Sequence, residues 1–252
     1  MINKSNYFSI ENNMKYMSVS QFKSFMDCEA SALAEVTGNY QREKTVALLV
    51  GSYVDAYFDN SLSEFKRDNP EIFKANGELK SEYKHAEKII ERIKRDNLFM
   101  KYLGGESQVI RTGEIDGVPF KIKIDSYHKC KAIVDLKVIK DFEAVYKEGE
   151  GRLNFIEAWG YDLQGAVYQA IEGSNLPFFI AAATKEKEPD IAVISVPQPY
   201  LDTAMEIIKA NVHRFYDLKN GIGEPIRCEK CDYCKKTKVL DRVITIEEIL
   251  ND

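Results

Sequence analysis

The sequence predicts an α/β protein, a central mixed β-sheet flanked by helices with a helical region ahead of it. Three observations carry that prediction. Between Gly113 and Lys140 apolar and polar residues alternate with the period of two that belongs to strands. On either side, apolar residues recur at helical spacing, as in Glu82 to Leu98 and Tyr200 to Leu218. The elements then follow in the order strand, strand, strand, helix, strand, strand, helix, which suits a mixed sheet covered on both faces. The chain has 252 residues, enough for one domain. We divide it into a helical part over 18–103, a sheet core over 107–218 and a cysteine-rich segment over 226–236.

Taken in order, Ser18 and Gln21 form a capping-box pattern that opens a helix carrying Phe22, Phe25, Met26, Cys28, Leu33 and Val36, with Gly38 to end it. Thr45 to Asp59 reads as a second, strongly apolar helix that contains Gly51 and Asp55. An interior glycine costs up to about 1 kcal/mol relative to alanine, so a packing reason is expected for it. Asn60 to Lys80 is polar and reads as a loop with a short helical piece. The helix Glu82 to Leu98 turns Ala86, Ile89, Ile90 and Ile93 to one face. Ser107 to Glu114 is the first strand, and Asp116-Gly117 is a strong hairpin turn. Lys140 to Asn154 has two glycines and little pattern, and reads as a loop able to act as a lid or strand guide. Glu157 to Glu172 is a helix with Glu157, Tyr161, Gln164 and Tyr168 in one stripe. Pro177 to Ala183 and Ile191 to Val196 are short strands, and Tyr200 to Leu218 is a long helix with Ala204, Ile207, Ile208, Val212 and Phe215 inward.

The chemistry concentrates in the middle strands. Phe120, Ile122 and Ile124 alternate with Lys121, Lys123 and Asp125. After a polar break, Ala132, Val134, Leu136 and Val138 take one face, and Ile133, Asp135, Lys137 and Ile139 the other. A hairpin centred on Cys130 sets Asp125 opposite Asp135 and Lys123 opposite Lys137. Facing side chains on antiparallel strands lie about 4.5–5.5 Å apart, and like charges there repel. Aspartate is also disfavoured in strands. Two carboxylates held so close call for a cation, and carboxylate oxygens are ligands for hard divalent ions. Lys137 shares a face with Asp135 and can orient a water or neutralise charge in a transition state.

The spacing Asp125, then Asp135-Leu136-Lys137, resembles the core of the PD-(D/E)XK nucleases, and more narrowly their phage-type exonuclease branch, which includes RecE (exonuclease VIII), lambda exonuclease and the RecB nuclease domain. Gly51 and Asp55 resemble that branch's G-x-x-x-H signature with aspartate in place of histidine, and Gln164 and Tyr168 resemble its Q-x-x-x-Y signature. The resemblance implies a restriction-endonuclease-like fold in a single nuclease domain over 1–252. It implies magnesium or manganese held by Asp55, Asp125, Asp135 and the Leu136 carbonyl, with Lys137 positioning the attacking water and Gln164 and Tyr168 holding the strand. The implied activity is digestion of linear double-stranded DNA from its ends, 5′ to 3′, in the cytoplasm of a bacterium or phage-infected host. Its implied partners are a single-strand annealing protein and further copies in a ring. A structure-specific endonuclease and an inactive DNA-binding recombination partner are the rival readings.

Near the C-terminus Cys228, Cys231 and Cys234 have the C-x₂-C-x₂-C spacing that suits three corners of an iron–sulfur cube. Cys28 is the candidate fourth ligand, since related nucleases join an early cysteine to three late ones around a 4Fe-4S cluster. Zinc uses the same four thiolates. Cys130 is a bystander. The net charge of −5 and pI near 5.5 argue against nucleic-acid binding over the whole surface, though not against a local basic groove. No apolar run reaches the length of a membrane span and the polar N-terminus has no signal-peptide core, so a cytosolic protein without a membrane partner is expected.

Overall fold

Helices occupy the first hundred residues of the chain. A computed structural model describes residues 2–147, 149–240 and 242–246. The helices run α1 (Ile10–Lys15), α2 (Val19–Asp27), α3 (Glu29–Val36), α4 (Val46–Phe58), α5 (Leu62–Asp68), α6 (His85–Lys94) and α7 (Asn97–Leu103). The strands β1 (Glu106–Ile115), β2 (Val118–His128) and β3 (Ala132–Ile139) follow. A small hairpin of β4 (Val145–Lys147) and β5 (Gly151–Leu153) then leads to α8 (Phe155–Ala158) and α9 (Tyr161–Glu172). The chain closes with β6 (Phe178–Thr184), β7 (Ile191–Ser195), α10 (Gln198–Lys219) and α11 (Asp232–Lys236).

The main sheet has the order β1-β2-β3-β6-β7. Only β3 and β6 run parallel, so the sheet is mixed as expected. Its central strand is buried on both faces, in accord with the alternation. Ile133 and Ile139 join a core built with α2, α9 and α10, while Ala132, Val134 and Leu136 join a second core under α4 and α6. Asp135 and Lys137 therefore interrupt the first of these faces.

Several helices are shorter than their patterns. The first breaks at Cys28, whose extended backbone (φ −165°) separates α2 from α3. Ser18 does cap α2 by accepting from the Gln21 N–H at 3.3 Å, but the Gln21 side chain donates to the Asn13 carbonyl instead of closing a box. Asp96 caps α7 and splits the long amphipathic pattern in two, leaving Ala86, Ile89, Ile90 and Ile93 buried on α6. Gly160 takes a left-handed conformation (φ +60°) and divides α8 from α9. The glycine-bearing stretch after Lys140 is the β4–β5 hairpin and not an irregular loop. Ile207, expected inward, is 39% exposed. A Cβ on Gly51 would meet Val138 at 3.8 Å, an ordinary contact, so space alone does not demand the glycine.

Candidate active site

The sheet comes apart where the carboxylates sit. The β2–β3 hairpin has the expected register, with Ser126, Tyr127 and His128 opposite Val134, Ile133 and Ala132, but the ladder stops there. Asp125 does not pair with Asp135, nor Lys123 with Lys137. On the other side, β1 pairs with β2 around Gln108, which takes a left-handed conformation (φ +57°) and drops out of the ladder opposite Asp125. The carboxylate of Asp125 replaces both missing ladder contacts. Its Oδ2 accepts from the Leu136 N–H at 3.1 Å and its Oδ1 from the Gln108 amide at 3.2 Å. This satisfies a backbone donor on the central strand and fixes the carboxylate between β1 and β3.

Asp135 is 1% exposed. The Gln164 amide donates to its Oδ1, and the Lys137 ammonium forms an ion pair with its Oδ2. That Oδ2 has no aligned hydrogen bond, which leaves a buried anionic oxygen with unused acceptor capacity. Asp55, on α4, opens with Asp59, Gln108, Asp125 and Leu136 onto one small pocket. Although Asp55 reaches solvent, the crowded walls strip hydration from it and push its pKa up to about 7, with Asp135 and Asp59 adding to the rise and Lys137 and Lys123 opposing it. Burial likewise raises Asp125, helped by Asp135 and Asp55. Burial opposes the charge on Lys137, but Asp135 and Asp125 outweigh it and raise its pKa. Three carboxylates that repel one another, one of them paired with Lys137, make a charge pattern that a hard divalent cation would relieve.

The remaining expected residues have different surroundings. Gln164 and Tyr168 are both 8% exposed. The Tyr168 hydroxyl donates to the Lys123 carbonyl at 2.8 Å, so this tyrosine ties α9 to β2, and a base cannot stack on its buried ring. Gly165 lets α9 press on the sheet, since a Cβ there would meet the Phe178 ring at 2.5 Å. The exposed aromatic surface near the active-site lysines belongs instead to Trp159, which is 50% exposed, while Tyr161 is half-buried against the core. The Lys137 ammonium lies 5.4 Å from the Tyr161 ring centre and the Lys23 ammonium 5.6 Å. Lys23 also donates to the Trp159 carbonyl at 2.9 Å. Desolvation and the neighbouring Lys137 bring the Lys23 pKa down to about 8.

Lys23, Asp59 and Gln108 were not anticipated. Asp59 follows Asp55 by one helical turn, a spacing readable in advance. Nothing in a strand sequence marks a glutamine that will adopt positive φ. The four cysteines Cys28, Cys228, Cys231 and Cys234 do assemble, as a separate group of free thiols capable of holding a metal ion. Cys130 is exposed and outside it.

Comparison with known proteins agrees with this geometry. A crystal structure of a candidate exonuclease from Eubacterium rectale is 48% identical, with 99% of this chain and 98% of that chain covered at a TM-score of 0.94. The structure of SSO0001 is 11% identical over 77% of this chain and 85% of its own, and its TM-score of 0.29 carries no argument. No curated protein matches the chain. The mixed sheet with flanking helices is the restriction-endonuclease-like fold expected from the resemblance. The family model described as a PDDEXK-like domain of unknown function (DUF3799) matches residues 18–237, and the chain belongs to that family.

Proposed function

We propose that the protein is a metal-dependent exodeoxyribonuclease of phage or prophage recombination type, which shortens linear double-stranded DNA from its ends in the 5′ to 3′ direction. The observation that carries the reading is buried Asp135, its Oδ2 paired with the Lys137 ammonium, beside the two further carboxylates of Asp125 and Asp55. An all-oxygen set of this kind suits magnesium or manganese. Asp125, Asp135, Asp55 and the Leu136 carbonyl would hold the ion. When bound, such an ion acidifies the attacking water and offsets charge on the scissile phosphate and leaving oxygen.

The protein's own residues do the positioning. Gln164 and the Leu136 N–H hold Asp135 and Asp125 in fixed orientations before substrate arrives. Lys137, kept protonated by those carboxylates, directs the water or the phosphate through its ammonium donors. Lys23 offers a second cation to the phosphate backbone, and the exposed Trp159 offers a face on which a separated base can stack. Local contacts of this kind allow strand capture by a chain with a net charge of −5. A single-strand annealing protein would take up the 3′ strand left behind, and a ring of copies would supply processivity. Cytoplasmic DNA is the substrate such an enzyme meets.

The test is a time course with end-labelled linear duplex and covalently closed plasmid, each with magnesium or manganese. Release of short products from the linear duplex, with the label lost first from 5′ ends and the closed plasmid intact, is expected. Rapid nicking of the closed plasmid would favour an endonuclease, and binding without loss of either substrate would favour a DNA-binding role.

A further inference from the structure

The cysteine group stands apart from the carboxylate chemistry and poses its own question of what it holds. The four sulfurs lie within 4.8 Å of one another. Cys28 Sγ is 3.6 Å from Cys234 Sγ, and Cys228 Sγ is 4.0 Å from it. All four cysteines are free thiols. We propose that they hold one tetrahedral zinc ion as a structural staple, and not an iron–sulfur cube.

Sulfur separation decides between the two. Zinc–thiolate bonds of about 2.3 Å in a tetrahedron set the sulfurs about 3.8 Å apart. The two separations above straddle that value, and no sulfur pair lies more than 4.8 Å apart. A cube gives each thiolate its own iron at a separate corner, which spreads the sulfurs well beyond the edge of a one-ion tetrahedron. Opening the group to that span would pull Cys28 and Cys234, both buried, away from each other.

The surroundings are those of a closed site. The Cys231 N–H donates to Cys228 Sγ at 3.3 Å, and the Cys234 N–H donates to Cys231 Sγ at 3.4 Å as α11 begins. Such bonds delocalise thiolate charge and orient the ligands. Four protein ligands leave no position for a substrate, the mark of a structural zinc centre. Its mechanical role follows from where Cys28 lies, at the break between α2 and α3. Beside it, the Glu29 carboxylate accepts from Arg214 at 2.9 Å and from the Ile226 N–H at 2.7 Å. The ion and Glu29 together tie the segment from Ile226 to Cys234 to the α2–α3 joint and to α10. Because α2 also carries Lys23, the staple holds one wall of the candidate active site in register.

The test is metal analysis of the full chain, expressed with zinc and iron both supplied and purified without oxygen. The expected result is about one zinc per chain, no acid-labile sulfide and no visible absorbance. Exchange with cobalt should then give the intense visible bands of a tetrahedral tetrathiolate. Cys231→Ser should lose most of the zinc while Cys130→Ser keeps it. Should Cys231→Ser fail to fold, chelator-driven release of zinc from the wild-type chain, read with a colorimetric zinc indicator, replaces it. Brown protein with about four irons and matching sulfide, or a wild-type chain with neither metal, would overturn the assignment. These readouts do not depend on whether the protein cuts DNA, so their failure and failure of the nuclease reading are distinguishable.

Discussion

The carboxylate pocket and the cysteine tetrad both gather side chains able to hold a metal ion, and the chain builds them in opposite ways. The tetrad is closed: four sulfurs face one another, their separations match one ion, and backbone N–H groups cover them. The pocket is open: the ladder is interrupted on both sides of Asp125, Asp55 reaches solvent, and Lys137 is paired with Asp135. A closed site contributes its energy to folding, whereas an open one keeps capacity in reserve for a substrate. Changes in the pocket should therefore cost activity and spare the fold, and changes in the tetrad should act first on stability.

The largest effect is expected at Lys137. Lys137→Met should lower cleavage by about 100-fold or more, since one positioned donor to a developing charge is worth that much. A variant still cutting at near wild-type rate would remove the lysine from the chemistry. Removing zinc from the tetrad tests the other half. Chelation or Cys231→Ser should lower the melting temperature on the order of 10 °C, as for a loss of a few kcal/mol in a chain of this size. An unchanged melting temperature would leave the tetrad without a structural role. Lys23 sits between the two regions, on the helix that joins them. Lys23→Ala should raise KM for DNA roughly 10-fold, the worth of one charge-assisted contact, with kcat nearly kept. A fall in kcat alone would mean that Lys23 acts in the chemical step.

A smaller effect belongs to two lysines outside both regions. Lys121 and Lys219 are 1% and 3% exposed, and their ammonium groups donate to neutral acceptors, Asn13 and the Tyr7 carbonyl, and Gln21 and the Tyr16 carbonyl. Burial lowers Lys121 to about 8, and burial with the nearby Lys121 lowers Lys219 to about 7. Unfolded lysine titrates near 10.4. Between those values the unfolded chain binds more protons, so these lysines make stability rise with pH from about 7 to 10. Denaturant unfolding at pH 7, 8 and 9 checks the sign. A midpoint that falls over this range would contradict it.

Much of this was readable beforehand because it depends on period and composition. The hairpin centred on Cys130, the two faces of β3 and the buried stripe of α6 follow from spacing, while the gathering of Cys28 with the late cysteines follows from the resemblance to related nucleases. What was not readable depends on single backbone conformations that tertiary contacts impose. Neither the extended Cys28 that breaks the first helix nor the positive φ of Gln108 has a local signal. The splay of the strands beyond Ser126 and Val134 converts a predicted face-to-face pair of aspartates into a carboxylate bound to the strand backbone. The resemblance to the Q-x-x-x-Y signature gives Tyr168 a strand-holding role, but that spacing is the same whether the ring faces DNA or the sheet. Only packing separates those, and it puts the ring inside.

Asp135 bears most directly on the central claim, that the open pocket is a divalent-metal site for DNA cleavage. Asp135→Asn keeps the shape and an acceptor for Gln164, while removing the charge beside Lys137. Cleavage of end-labelled linear duplex should be compared for the wild type and this variant, each with magnesium and with chelator, alongside a melting curve. The account predicts metal-dependent shortening by the wild type, none by the variant, and a melting temperature for the variant equal to or above that of the wild type. Cutting by the variant at the wild-type rate, or by the wild type in chelator, would contradict it.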